Sequence, residues 1–133
     1  MGLDWGEKRI GIALSDPEGV VAQGKCTYGR KDLEQDIGYI SDLVRENGVG
    51  EIVLGLPVNM DGSEGFQVER VQDFKRALEQ EVEVPVRTVD ERLTSDEAER
   101  VLRQSGMSHQ ARAEKRDELA ATLILQRYLD LKD

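Results

Sequence analysis

The fold is decided by residues 1–15, which read MGLDWGEKRIGIALS. Two apolar segments in this stretch, Leu3–Trp5 and Ile10–Ser15, are separated by a short turn and predict two paired strands. In the second segment, large aliphatic side chains alternate with Gly11 and Ala13, so one face of the strand is apolar and the other is flat. The chain therefore opens with a hairpin whose two faces differ in bulk.

The rest of the chain alternates between strand and helix patterns. The predicted elements are, in order, a strand over 20–28, a helix from the N-cap Asp32 to Gly48, a strand over 51–57, a helix with Val71, Phe74, Leu78 and Val82 on one stripe, a strand over 85–90, a helix from Thr94 to about Gly106 and a helix over 109–131. A meander followed by crossover connections predicts an α/β fold, with a five-stranded mixed sheet, a central first strand and helices on both faces.

Length and composition exclude several classes of protein. The 133 residues suffice for one domain, so residues 1–133 are predicted to form a single domain with the composition of a soluble globular protein. No apolar run has the roughly 18 residues of a membrane span, and the N-terminus lacks a signal-peptide pattern, so we expect a cytoplasmic protein without a membrane partner. A single cysteine, Cys26, and a single histidine, His109, argue against disulfides, zinc cages and histidine-based nucleophilic catalysis.

The net charge of −9 at first argues against a nucleic-acid ligand, because phosphate binding needs positive charge. The excess is local, since residues 31–84 carry 13 acidic and five basic side chains, whereas residues 1–30 are neutral and residues 85–116 are nearly so. Six cations in the nearly neutral segments are candidates for holding a phosphate backbone, although their pattern equally suits ordinary solubilising charge: Lys8, Arg9, Arg92, Arg112, Lys115 and Arg116.

Three carboxylates lie where this topology can bring them together. Asp4 is on the first strand, Glu91 directly follows the last strand, and Asp117 is near the start of the last helix. Asp117 shares a helical stripe with Ala121 and Ile124, and this stripe should face the sheet. Burying an unpaired carboxylate costs several kcal/mol, so an acid at this position needs a cation, a proton or a hydrogen-bond donor.

Each acid also has an ordinary structural explanation. Asp4 could be a turn residue, and Glu91 could lie at an exposed strand end. Asp117 could form an ion pair with Arg112 or Lys115. Taken together, and without histidine or cysteine ligands, the three acids favour an oxygen-rich site for a hard divalent cation, Mg²⁺ or Mn²⁺. Two such ions can clamp a phosphodiester, one activating a water molecule and the other stabilising the leaving oxygen.

The segment Asp4–Gly11 has a second interpretation. Its Asp-x-Gly-x-x-x-x-Gly pattern between two strands suits the first phosphate-binding loop of actin-like and sugar-kinase ATPases, in which glycine lets the backbone approach phosphate. That fold places the nucleotide between two such domains, and 133 residues supply only one. The length therefore decides against an ATPase.

The chain resembles the YqgF (RuvX) family in four stretches that follow the family's order: Asp4–Gly11 with Ser15-Asp16-Pro17, Gly55–Gly62, Asp90–Ser95, and Lys115–Ala121 with Ile124-Leu125-Gln126. Members of this family are described as Holliday-junction resolvases or as nucleases that mature the 5′ end of precursor 16S ribosomal RNA. The resemblance implies a ribonuclease-H-like fold and metal-dependent phosphodiester hydrolysis, with the catalytic and metal-binding acids at Asp4, Glu91 and Asp117.

The resemblance also marks Arg9, Asn59 and Arg92 as motif positions, and we infer that they contact nucleic acid through hydrogen bonds to phosphate oxygens. The alternative is that the two arginines only neutralise neighbouring carboxylates. The expected partners are structured RNA or branched DNA, together with pre-ribosomal particles, and both a monomer and a homodimer are compatible with this role. A second hypothesis keeps the fold but makes the chain a non-catalytic module that binds nucleic acid or assists ribosome assembly, which the charge of −9 favours somewhat.

Overall fold

The computed structural model describes residues 1–56, 66–90, 100, 103–104 and 109–131, without the side chains of 66–67 and 109–114. Its elements are β1 (Gly2–Trp5), β2 (Arg9–Ser15), β3 (Ala22–Gly29), α1 (Leu33–Glu46), β4 (Ile52–Leu56), α2 (Phe66–Glu81), β5 (Val86–Asp90) and α3 (His109–Leu131). They follow the predicted order, and most of the helix predicted from Thr94 to Gly106 lies outside the described residues. Within these described ranges, no helix combines the length and the apolar character that a membrane span requires.

The five strands form one mixed sheet in the order β3-β2-β1-β4-β5. β1, β2 and β3 make an antiparallel meander, while β4 pairs in parallel with both β1 and β5. Leu3 of β1 is opposite Ile12 of β2 on one side and Leu54 of β4 on the other. The predicted five-stranded mixed sheet with a central first strand is therefore confirmed.

The two faces of the sheet carry different layers. On one face, aliphatic side chains such as Leu3 and Ile12 pack with those of α1 and α2, and Phe74 of α2 is almost completely buried there. On the other face, small residues such as Ala13 pack with α3, where Ile124 is fully buried. Helices on both faces, and the predicted difference between the two sides of β2, are thus confirmed. Each large side chain removed from water contributes about 1.5–3 kcal/mol to stability.

Local signals set the ends of α1 and of β3. Asp32 caps α1 by accepting a hydrogen bond from the Gln35 backbone N–H at 2.7 Å, and Gly48 follows the helix with a φ of 60°. Both ends agree with the sequence prediction. β3 begins at Ala22 and not at residue 20, because the Asp16 carboxylate accepts hydrogen bonds from the N–H groups of the two preceding valines. The predicted start of this strand was therefore too early.

Candidate active site

Asp4 lies on the central strand, close to the turn that joins β1 to β2. It is opposite Gly11 of β2 in the antiparallel register, so the side-chain positions of these two residues are on the same face of the sheet. That face is the one covered by α3, because a Cβ added to Gly11 would meet the α3 backbone. The half-buried Asp4 side chain is thus on the same face as the helix that carries Asp117.

The α3 helix approaches the sheet closely because three glycines lie beneath it, Gly2, Gly11 and Gly24. A Cβ on Gly11 would lie 2.9 Å from the backbone nitrogen of Glu118 and closer still to the carbonyl group of Asp117. Only glycine, which has no Cβ, allows backbone to pack on backbone in this way. The contact fixes Asp117 beside the strand position that pairs with Asp4.

The apolar stripe predicted for the last helix is present in α3. Ala121 and Ile124 are fully buried against the sheet, and Tyr128 is half-buried next to them. Asp117 lies at the start of this stripe with a side chain that is 15% exposed. The expected acid on the sheet-facing side of the helix is therefore found in the structure.

Asp117 is paired with Arg9 of β2. The Nε of Arg9 donates a hydrogen bond to Oδ2 of Asp117 at 2.6 Å. A carboxylate with this degree of burial needs such a partner, because desolvation disfavours its charged form. One alternative left open by the sequence was that Arg9 only neutralises a neighbouring carboxylate. Its observed ion pair with Asp117 agrees with that alternative. Lys115, which was one candidate partner of Asp117, instead has its Nζ 3.6 Å from Oε2 of Glu118.

The remaining predicted site residues fall into two groups. Three are described: Lys8 is exposed in the turn between β1 and β2, Lys115 is exposed on α3, and Arg116 is half-buried on α3. The others, Glu91, Asn59 and Arg92, lie outside the described residues, as does the side chain of Arg112. In the part of the chain that the structure describes, no three His, Cys, Asp or Glu side chains are grouped to hold a metal ion. The structure pairs Arg9 with Asp117 and places Asp4 on the sheet face that α3 covers.

The donor atoms of this site suit the predicted ions. Asp4 and Asp117 provide carboxylate oxygens, which are the ligands that Mg²⁺ and Mn²⁺ prefer. One acid is on the central strand and the other is on a helix packed directly against that sheet, so both are on rigid elements. Arg9 binds one oxygen of the Asp117 carboxylate, Oδ2. These residues fit a hard divalent cation, for which Glu91 is the expected third acid.

Sequence reasoning missed a buried ion pair next to the β1–β2 turn, formed by Arg30 and a residue of α1. Asp36 of α1 is fully buried, and its Oδ2 accepts a hydrogen bond from Nε of Arg30 at 2.9 Å. A signal for it was available, because Asp36 precedes Ile40 and Leu43 by four and seven residues and so lies on the apolar stripe of α1. The same kind of signal singled out Asp117.

The whole chain is similar to proteins of one family. The RuvX family model, described as Holliday junction resolvase, matches residues 1–131. A protein of Syntrophomonas wolfei subsp. wolfei is 51% identical over 98% of this chain and 92% of its own length. A protein of Moorella thermoacetica is 52% identical over 98% of this chain and 93% of its own length. Both relatives are named "Putative pre-16S rRNA nuclease", and these names support a nuclease role.

Proposed function

Because the chain belongs to the RuvX family, we propose that it is a divalent-metal-dependent nuclease that hydrolyses phosphodiester bonds in structured RNA, namely at the 5′ end of precursor 16S ribosomal RNA. The observation that carries the proposal is the contact between the Asp117 backbone and Gly11, the strand partner of Asp4. Through this contact α3, which carries Asp117, covers the sheet face on which Asp4 lies. The names of the curated relatives support the RNA substrate, and pre-ribosomal particles are then the expected partners.

The proposed metal ligands are Asp4, Asp117 and Glu91. These carboxylates would hold divalent ions, whose chemistry there would be to activate a water molecule and to stabilise the leaving oxygen of the phosphodiester. The protein itself positions the carboxylates. β1 and α3 carry two of the acids on rigid backbone, and Arg9 fixes the orientation of Asp117 through their hydrogen bond. Carboxylates fixed before the substrate arrives lose little conformational entropy in the reaction.

Cations on both sides of these acids are proposed to hold the RNA backbone. Lys8 and Arg9 are at the β1–β2 end of the site, and Lys115 and Arg116 are on the helix that carries Asp117. Contacts of this kind bind phosphate without reading the sequence, and they weaken steeply as the salt concentration rises. Asn59, Arg92 and Arg112 remain proposed contacts of the same type.

The test is cleavage of three end-labelled substrates by the full chain: an RNA fragment that spans the mature 5′ end of 16S ribosomal RNA, a four-way DNA junction and a linear DNA duplex. Each is incubated with Mg²⁺, with Mn²⁺ or with excess EDTA. We expect metal-dependent cleavage of the RNA, and a loss of at least about a hundredfold in rate for Asp4→Asn. The matched control is Asp42→Asn, which changes an exposed carboxylate of α1 on the opposite side of the sheet and should leave the rate unchanged.

Full activity in EDTA, or in a folded Asp4→Asn variant, contradicts the proposal. Symmetric cleavage of the four-way junction favours a second candidate function, which the family description supports: a Holliday junction resolvase that acts as a homodimer with two sites. Sedimentation velocity then distinguishes a monomer from a dimer independently of catalysis. Binding of the RNA without any cleavage identifies the chain instead as a non-catalytic binding module.

A further inference from the structure

Arg30, which directly follows β3, contacts the turn between β1 and β2 through its side chain and its backbone. Its Nη1 donates hydrogen bonds to the carbonyl oxygens of Gly6 and Glu7, each at 3.3 Å. Its guanidinium carbon lies 4.6 Å from the centre of the Trp5 ring, which is a cation–π contact. The Arg30 backbone N–H also donates to the carbonyl oxygen of Lys8 at 2.9 Å. The conformation of the turn therefore depends on where Arg30 lies.

Arg30 is itself fixed by Asp36 of α1. Oδ2 of Asp36 accepts from Nε of Arg30 at 2.9 Å, and Oδ1 accepts from the Lys31 backbone N–H at 2.8 Å. The Asp36 side chain is fully buried, and that of Arg30 is 17% exposed. Burial opposes the charge of Asp36, but hydrogen bonds from Lys31, Arg30 and Tyr28 outweigh it and hold the pKa of this carboxyl below its usual value. The ion pair is therefore charged at neutral pH and confined to one geometry.

The turn that Arg30 contacts lies between two residues of the candidate site. Asp4 comes just before it in the sequence and Arg9 comes just after it. The Gly6 N–H donates to the carbonyl oxygen of Arg9 at 2.9 Å and closes the turn. A change in the turn would therefore displace the Arg9 side chain, whose Nε binds Asp117.

We propose that Arg30, fixed by Asp36, is a positioning residue for the nuclease site: it sets the conformation of the β1–β2 turn and through it the placement of Asp4 and Arg9. The inference rests on the proposed function and extends it to α1, a helix that contributes no residue to the candidate site in the described part of the chain. Arg30 acts through the turn and not on the substrate, since its Nε and Nη1 are bonded to Asp36 and to the turn carbonyls.

The test compares Arg30→Lys and Asp36→Asn with the same two substitutions in an exposed ion pair of α1, Arg45→Lys and Asp42→Asn. Lysine keeps the positive charge at position 30. It lacks the planar guanidinium, which donates hydrogen bonds to Asp36 and to the turn carbonyls at the same time. Asparagine keeps the shape at position 36 but removes the charge that holds Arg30. The control pair contacts neither the turn nor the site, so its variants report the general effect of these substitutions.

Three properties of the full chain are measured. Trp5 is the only tryptophan, so quenching of its fluorescence by acrylamide reports whether the guanidinium still covers the ring. Hydrogen exchange at the Gly6 amide reports on the turn itself, and we expect it to be about tenfold faster in Arg30→Lys. The kcat for cleavage of the RNA fragment should fall by about tenfold to a hundredfold, whereas KM should change by less than about threefold, because the displaced groups act in the chemical step.

Each outcome decides the proposal. Unchanged quenching and exchange in Arg30→Lys overturn it, and so does a loosened turn with a wild-type kcat, because the ion pair would then be only structural. If Asp36→Asn fails to fold, Arg30→Lys still decides. If the wild-type chain cleaves no substrate, the proposed function fails and the positioning role falls with it. The quenching and exchange data then still show whether Arg30 holds the turn, so the two failures are distinguishable.

Discussion

Replacement of Gly11 by alanine tests whether the close contact between α3 and the sheet creates the site. The new Cβ would lie 2.9 Å from the backbone nitrogen of Glu118 and closer still to the Asp117 carbonyl group. Non-bonded heavy atoms pack at about 3.5–4.0 Å, so the strand and the helix must separate by on the order of 1 Å. Overpacking of this kind costs about 1–3 kcal/mol, and a displacement of about 1 Å in a catalytic group costs about a hundredfold in rate.

The assay for this variant combines thermal unfolding, followed by circular dichroism, with the rate of RNA cleavage. For a chain of this length we expect Tm to fall by about 3–12 °C and the rate to fall by about a hundredfold. The matched control is Gly38→Ala in α1, where an added Cβ has no neighbour within 4 Å and should stabilise the helix by up to about 1 kcal/mol. A Gly11→Ala variant with wild-type Tm refutes the tight contact. A lower Tm with a wild-type rate refutes its role in the site.

Three further predictions concern stability. Gln126→Ala removes an amide that accepts from the Ala22 N–H and donates to the Val20 carbonyl, each at 2.9 Å, so urea unfolding should show a loss of about 1–2 kcal/mol with the cleavage rate unchanged. Ile124→Ala empties a fully buried position and should cost about 2–5 kcal/mol in the same assay. Because the folded chain lowers the pKa of Asp36, its contribution to stability is complete above the ordinary pKa of 3.8 and is lost as the pH falls through the folded-state value. In Asp36→Asn the free energy of unfolding should therefore depend less on pH in the acidic range. Urea titrations from neutral to acidic pH measure this dependence.

The fold was predictable from the sequence because its main signals are local. The alternation of large and small residues along β2 follows from the period of a strand, and it correctly predicted two different faces. The cap at Asp32 and the stop at Gly48 depend on single residues and their immediate neighbours. The start of β3 was misplaced because Asp16 binds backbone N–H groups several residues along the chain, a contact that strand propensity does not reveal.

The site was predictable only in part, because its contacts are not local. The helical stripe of α3 correctly placed Asp117 against the sheet. Its partner, Arg9, is 108 residues away in the sequence, and their pairing depends on how closely the helix packs on Gly11. The contacts of Arg30 with the β1–β2 turn are also distant in sequence, and a single arginine after a strand belongs to no periodic pattern. The sequence therefore did not predict them. Its partner Asp36 was recognisable, because an acid on an apolar stripe needs a donor.

The net charge of −9 is weak evidence against a nucleic-acid ligand once the charges are placed on the fold. Eight of the 13 acids of residues 31–84 are on α1 and α2, where Arg45, Lys75 and Arg76 are paired with acids of their own helices. These helices cover the face of the sheet opposite α3. Packed layers are separated by about 10 Å, so the acidic surface and the α3 face are about 20 Å apart, more than two Debye lengths at physiological salt. Screening over that distance weakens the repulsion that α1 and α2 exert on a polyanion at the α3 face, so the proposed contacts Lys8, Lys115 and Arg116 would set the local charge there.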